Sequence, residues 1–184
     1  MAADDLKPYR DHALAHGATA VAGIEPAQVV TAPWVRFKCL YGCSYNHTWA
    51  CPPHSPRHDE TRQLLDSYRR GLLIHFEVPR LEPDTPDQYR KHYLGQHKMV
   101  VDLEGTLFKD GYYKAFSFLF GGCMICPECT CAKNEPCRFR TRLRPPMEAS
   151  GIDVFQTARN CSLPIETLHL RGETRNQYAL LMVD

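Results

Sequence analysis

The sequence predicts an α/β protein, with an α+β arrangement as the alternative, in which helices flank one mixed sheet. Apolar, β-branched runs of strand length alternate along the chain with amphipathic runs of helical length, an order that builds a layered sheet. The cysteines fall into two blocks outside these runs, so we expect two cysteine-rich loops. The chain has 184 residues, the size of one ordinary domain, and we expect residues 1–184 to form a single domain.

The first half of the chain contains two predicted helices and three predicted strands. Residues 2–17 form an alanine-rich segment that ends at a glycine, which predicts a helix. The β-branched and aromatic patches in "TAVAGI" and "QVVTAPWVRF" predict short strands. In "HDETRQLLDSYRR" the acids come first and the arginines last, as the helix dipole favours, and the apolar run "LLIHFEV" predicts a buried strand.

The second half alternates helix and strand in the same way. The turn residues of "EPDTPD" predict the start of a long helix over about residues 87–108. The segment "YYKAFSFLF" is apolar on both faces, so we expect it to be a central strand. A short helix over about residues 152–160 and a final strand, "QYALLMV", complete the prediction.

The composition argues against several classes of protein. With 22 basic and 21 acidic residues the formal net charge is +1, so no overall field favours nucleic acid or a membrane surface as a partner. The apolar runs are too short to cross a bilayer, and the first residues do not read as a signal peptide. Nine cysteines without such a signal predict a cytoplasmic protein, where clustered thiols are more often metal ligands than disulfides.

The second cysteine block, "GGCMICPECTCAKNEPC", has the spacing of a four-iron cluster site. A C-x2-C-x2-C run followed by a further cysteine wraps such clusters in bacterial-type ferredoxins, and the two glycines let the backbone approach the inorganic sulfides. The predicted ligands are Cys123, Cys126, Cys129 and Cys137. We interpret Cys131 as a spare thiol that points the other way. Zinc is the alternative metal, because spacing alone does not identify the ion.

The first cysteine block supplies three thiols and no fourth nearby. Cys39, Cys43 and Cys51 lie within reach of one another, and two prolines follow the third. Three thiolates on a four-iron cluster leave one iron free for water, substrate or an unusual ligand, as an open coordination position does in catalytic zinc sites. Several side chains compete to close this position, or to form a zinc site with the thiols. They are His47, His54, Cys131 and Cys161.

Charged residues accompany both blocks. Arg36 and Lys38 adjoin the first block, and with His54 they are weak candidates to bind a substrate. Four arginines follow the second block: Arg138, Arg140, Arg142 and Arg144. Such cations offset the charge of a thiolate cluster, bind an anionic substrate or partner, or form a solvated loop. Glu148 and Asp153 are candidates for acid/base work, although capping a helix is the commoner role.

Several segments of the chain resemble a known family. They are "KCLYGCSYNHTWACPPHSP", "FLFGGCMICPECTCAKNEPCR" and "RPPMEASGIDV", and "LLDSYRRGLLIHFEV" matches in type and position. Together they resemble the predicted metal-binding protein family, a domain of unknown function, over roughly residues 35–184. The resemblance implies an iron–sulfur protein and no particular reaction. It implies as ligands Cys39, Cys43, Cys51, Cys123, Cys126, Cys129 and Cys137.

Three functions fit these residues. The first is a cytosolic metal-binding domain with two [4Fe-4S] clusters, one closed and one with an open iron that binds a small anionic or sulfur-containing substrate. The second is an electron-transfer module with closed clusters that serves a redox protein partner. The third is a zinc-stapled binding domain. The sequence leaves open whether the protein is an enzyme, and whether it binds one cluster or two.

Overall fold

The structure, a computed structural model, describes residues 5–44, 47–78, 86–170 and 173–184. These residues form an α+β fold in which five α-helices accompany one four-stranded antiparallel sheet with the strand order β1-β2-β4-β3. The α+β form of the predicted fold class is confirmed, but the sheet is not mixed, because every strand pair is antiparallel. The elements are α1 (Lys7–Ala15), β1 (Ala20–Ile24), α2 (Pro33–Gly42), α3 (His58–Leu65), β2 (Arg70–Val78), α4 (Pro86–Lys109), β3 (Phe116–Phe118), α5 (Val154–Asn160) and β4 (Arg175–Val183).

Strands β2 and β4 form the centre of the sheet. They pair along nine residues each, from Arg70 opposite Val183 to Val78 opposite Arg175. One face of the sheet packs against α1 and α4, and the other packs against the segments around α3 and α5. Both faces are therefore buried, which explains why "LLIHFEV" and "QYALLMV" read as continuous apolar runs.

The predicted strand over "QVVTAPWVRF" is wrong, because most of this segment is helical. Ala32 is extended, and Pro33 begins α2 in the first helical turn, where its fixed φ and missing N–H are tolerated. Thr31 makes only an isolated bridge to Ile152. The apolar pattern reflects a helix that buries Val35 and leaves Phe37 exposed.

The predicted central position of "YYKAFSFLF" is also wrong. Strand β3 has three residues and lies at the edge of the sheet, next to β4. The chain covers this edge with its own backbone: Leu119 N–H donates to Pro145 O at 2.9 Å, and Met147 N–H donates to Leu119 O at 2.7 Å. An edge strand covered in this way is as apolar as a central one.

Two predictions concern, in part, residues outside the described ranges. The start of the first predicted helix, residues 2–4, and the predicted turn "EPDT" lie outside the described residues. The long helix, the short helix and the final strand are confirmed as α4, α5 and β4. That residues 1–184 form a single domain stays a prediction.

A buried ion pair links α4 to the covered edge. Arg144 pairs with Glu104 at 2.5 Å, and Glu104 is 8% exposed. The Glu104 carboxylate also accepts the backbone N–H of Ser117 at 2.8 Å. Removal of one member leaves the other charge buried without its partner, which is strongly destabilising.

We therefore predict that Glu104→Ala lowers the free energy of unfolding by about 3 kcal/mol or more. Lys98→Ala is the matched control, because Lys98 forms an exposed pair with Asp102 on the same helix and its loss costs about 0.5 kcal/mol or less. Urea denaturation measures both. Equal losses in the two variants would contradict a stabilising role for the buried pair.

Buried His97 makes the stability depend on pH. Burial, aided by the positive charges of Arg144 and Arg142, lowers the pKa of His97 to about 4 from 6.5. Between these values the unfolded chain binds a proton at His97 that the folded chain does not, so the free energy of unfolding falls as the pH falls. We predict that between about pH 7 and pH 5 the native protein loses about 2 kcal/mol more stability than His97→Gln. Urea denaturation at both pH values checks this, and equal losses would refute it.

Candidate metal centre

Four thiols of the second block surround one small, largely enclosed cavity. The cavity has a volume of about 10 Å³, room for about one water-sized group. Apolar side chains, among them Trp49, Phe139 and Leu143, close it from the sides. The lining thiols are Cys123, Cys126, Cys129 and Cys137.

The backbone after Cys129 brings Cys137 back to the other three thiols. A 3₁₀ turn, Thr130–Lys133, begins directly after Cys129. Asn134 follows it in the left-handed conformation with φ 53°, and Thr130 Oγ1 donates to Pro136 O at 3.0 Å. Cys131 lies within this turn and does not line the cavity. That it is a spare thiol stays a prediction.

Burial favours the protonated form of Cys123 unless a cation is present. It raises the pKa of Cys123 to about 11, opposed by the backbone N–H of Ile125 and assisted by the other three thiols of the cavity. A bound metal reverses this, because its charge deprotonates coordinating thiols. A set made only of thiols fits zinc or an iron–sulfur cluster rather than magnesium or calcium.

The three thiols of the first block come from the end of a helix and the loop beyond it. Cys39 lies in the last turns of α2, and Cys43 is its C-terminal cap. Cys51 is buried in a turn, where its N–H donates to Thr48 O at 3.0 Å and its Sγ accepts from Thr48 Oγ1 at 3.2 Å. Burial is the largest cause of the raised pKa values of Cys39 and Cys51.

Arg36 fastens the parts of this site to one another. Its Nη1 donates to Ser55 O, Ser55 Oγ, Pro56 O and Ala149 O at 3.0, 3.1, 2.8 and 3.1 Å. Ser55 Oγ also donates to Ala149 O, at 2.7 Å. These bonds hold α2, the loop after Cys51 and the turn at 148–150 together. A role of Arg36 in substrate binding stays a prediction.

Glu148, which the sequence suggests as an acid/base candidate, lines the groove beside this site. The residue as a whole is partly exposed, yet its Oε2 is closed from solvent and has no hydrogen-bond partner among the described residues. Burial raises the pKa of Glu148, opposed by the backbone N–H groups of Glu148 itself and Gly121. Burial raises the pKa of Cys39 to about 11, and the charge of Glu148 is the second-largest cause of this rise. A carboxylate is thus held close to the first thiols.

A groove of about 1070 Å³ opens onto the first block. Cys39, Cys43 and Glu148 line it, together with aromatic side chains such as Phe120 and Phe155. Its size is that of small-molecule sites, which occupy about 300–1,000 Å³. Three basic side chains also line it: Lys38, Arg159 and Arg175.

The two thiol sets are neighbours. Trp49 comes from the first block but lines the cavity of the second, and its Nε1–H donates to Glu135 O at 3.0 Å. The charge of Cys129 contributes to the raised pKa of Cys51. His54, a predicted substrate contact, is exposed and packs on the Trp49 ring at a centroid distance of 4.3 Å.

None of the nine cysteines, all of which the structure describes, forms a disulfide. Among the described residues, no three His, Cys, Asp or Glu side chains lie close enough together to hold a single metal ion. The family model described as "Predicted metal-binding protein (DUF2284)" matches residues 22–183. The chain belongs to this family. Its predicted metal-binding domain therefore contains both cysteine blocks, and the resemblance seen in the sequence is confirmed.

Two further comparisons, with the curated proteins and with the solved structures, gave no match. Within the described ranges, no helix is long and apolar enough to span a membrane.

The lining of the cavity predicts that Cys126 and Cys131 differ in metal binding. We expect Cys126→Ser to lose the metal of the second block, because Cys126 lines the cavity, whereas Cys131→Ser keeps it. Elemental analysis of each purified variant, expressed as metal per chain, measures this. Equal metal content in the two variants would contradict the assignment of the ligands.

Proposed function

We propose that this protein is a cytosolic iron–sulfur protein with two [4Fe-4S] clusters, one closed and one with an iron open to a small anionic or sulfur-containing substrate. The observation that carries the proposal is the difference between the two thiol sets. Four thiols surround an enclosed cavity, while two of the three thiols of the first block line a large groove. An accessible coordination position is what separates catalytic from structural metal sites.

The second block would hold the closed cluster. Its spacing, C-x2-C-x2-C with Cys137 beyond, provides four thiolates within one loop. Trp49, Phe139 and Leu143 would shield the cluster from water. The exclusion of water and the hydrogen bonds to sulfur are what tune the potential of such a centre.

The first block would hold the open cluster. When bound, the cluster supplies a Lewis-acid or one-electron redox centre. The chain itself supplies the binding surface: Lys38 stands over the Trp34 ring at 5.1 Å, at the groove, where its charge attracts an anion. The aromatic wall of the groove excludes water from the bound molecule.

The contact between the two sets supports an electron path. Cys51 and Cys129 are close enough for their charges to interact, so one cluster would exchange electrons with the other. If both clusters are closed, the same contact makes the protein an electron-transfer module for a redox partner.

The donor set of the second block keeps the zinc alternative open. Four thiolates are ligands that suit zinc as well as an iron–sulfur cluster. Metal identity decides between the two, because zinc sites contain no inorganic sulfide.

We predict about eight iron and eight sulfide per chain in anaerobically purified protein, the sum of two four-iron clusters. Colorimetric iron and sulfide assays measure this. About four of each leaves a single cluster, and zinc without sulfide would refute the iron–sulfur proposal.

A separate prediction concerns the binding of small ligands to the open iron. Cyanide or a small thiol should change the visible spectrum of the native protein, because an exchangeable position binds it. Cys43→Ser should abolish this response, whereas Cys126→Ser should keep it, since Cys126 lines the closed cavity. A native spectrum insensitive to both reagents would favour the closed electron-transfer module.

A further inference from the structure

We propose that Glu148 is the fourth protein ligand of the first site, an exchangeable oxygen ligand that a substrate entering through the groove displaces. This inference rests on the proposed function, since it assigns the open position of the first cluster. It names a ligand for the position that Cys39, Cys43 and Cys51 leave unfilled.

The backbone around Glu148 is fixed relative to the thiols. The next residue, Ala149, is buried and accepts hydrogen bonds from Arg36 Nη1 at 3.1 Å and Ser55 Oγ at 2.7 Å. Arg36 belongs to α2, which carries Cys39, and Ser55 accompanies Cys51, whose carbonyl accepts the Ser55 N–H at 3.1 Å. The same bonds that assemble the three thiols therefore position the carboxylate.

One carboxylate oxygen of Glu148 is open to bonding by a cation or a hydrogen-bond donor. Its Oε2 is closed from solvent and has no hydrogen-bond partner in the described part of the chain. A buried carboxylate oxygen is stabilised by a hydrogen-bond donor, a cation or a proton. A metal ion at the first site supplies that cation.

The carboxylate faces the correct side of the site. Glu148, Cys39 and Cys43 line the same groove. A metal at the first site would favour the ionised forms of the carboxyl and the thiols and would attract both.

The competing ligands are placed less well. His47 and His54 are exposed, and neither lines the groove or the second cavity. Cys131 and Cys161 line neither of these two cavities. Asp153 lines the groove but caps α5, where its Oδ1 accepts the Gln156 N–H at 3.0 Å.

A carboxylate ligand suits a position that must open. Oxygen ligands are harder than thiolate and bind iron–sulfur centres less readily than soft donors do. A substrate thiol therefore replaces Glu148 more easily than it replaces a cysteine. The groove provides the route, and the displaced carboxylate becomes available to the donors of the bound molecule.

The test compares variants of the full chain prepared anaerobically, with cyanide as the probe. Glu148→Cys should keep about eight iron per chain and bind cyanide at least tenfold more weakly, because a fourth thiolate closes the position. Glu148→Gln should bind cyanide at least tenfold more tightly, because the amide is a weaker ligand. Asp153→Asn is the matched control from the same groove and should bind cyanide as the native protein does.

The outcomes separate this inference from the proposed function. Iron and sulfide in the native protein decide the proposed function before any variant is made, and their absence overturns both. With clusters present, unchanged cyanide affinity in Glu148→Gln or Glu148→Cys overturns the assignment of Glu148 alone. If these variants do not fold, electron–nuclear double resonance of the reduced native protein in ¹⁷O-enriched water decides: a water oxygen bound to the cluster overturns the assignment, and the absence of a bound water oxygen supports it.

Discussion

The carbonyl oxygen of Ala149 is the acceptor on which the first site depends. Arg36 and Ser55 both donate to it, so a helix, a loop and a turn that are far apart in sequence meet at one buried atom. A guanidinium is suited to this position because its donors point in fixed directions and its charge does not titrate. Loss of these bonds would leave buried carbonyl groups without donors and would separate Cys39 from Cys51. The relative positions of Cys39 and Cys51 thus depend in part on hydrogen bonds between other groups.

The sheet joins the two cysteine blocks. Strand β3 ends at Phe118, and Leu119 then exchanges backbone hydrogen bonds with the segment that leads to Met147. This short parallel bridge places Gly121, the start of the second block, beside Glu148 of the first site. The sites are neighbours because the edge of the sheet is covered by the chain itself, rather than because the blocks attract each other.

Much of this fold could be predicted from periodicity, and the failures have physical causes. The long helix α4 and the buried strands β2 and β4 carry strong local patterns. Helix α2 was predicted as a strand because β-branched residues precede Pro33, and the start of a helix at a proline was not weighed against them. The spacing of the second block predicted which thiols share a cavity, since four ligands lie in one loop. The sequence could name Glu148 only as an acid/base candidate, because a buried oxygen without a partner among the described residues is a property of the folded packing.

The position of Trp49 has a consequence for how the protein is built. Its indole closes a cavity that has room for about one water-sized group, and it comes from the cysteine block that forms the other site. The indole therefore couples the two blocks: a change in the first block that moves Trp49 would open the cavity of the second to solvent. If the second block holds a metal, the protection of that metal would depend on how firmly the first block is docked.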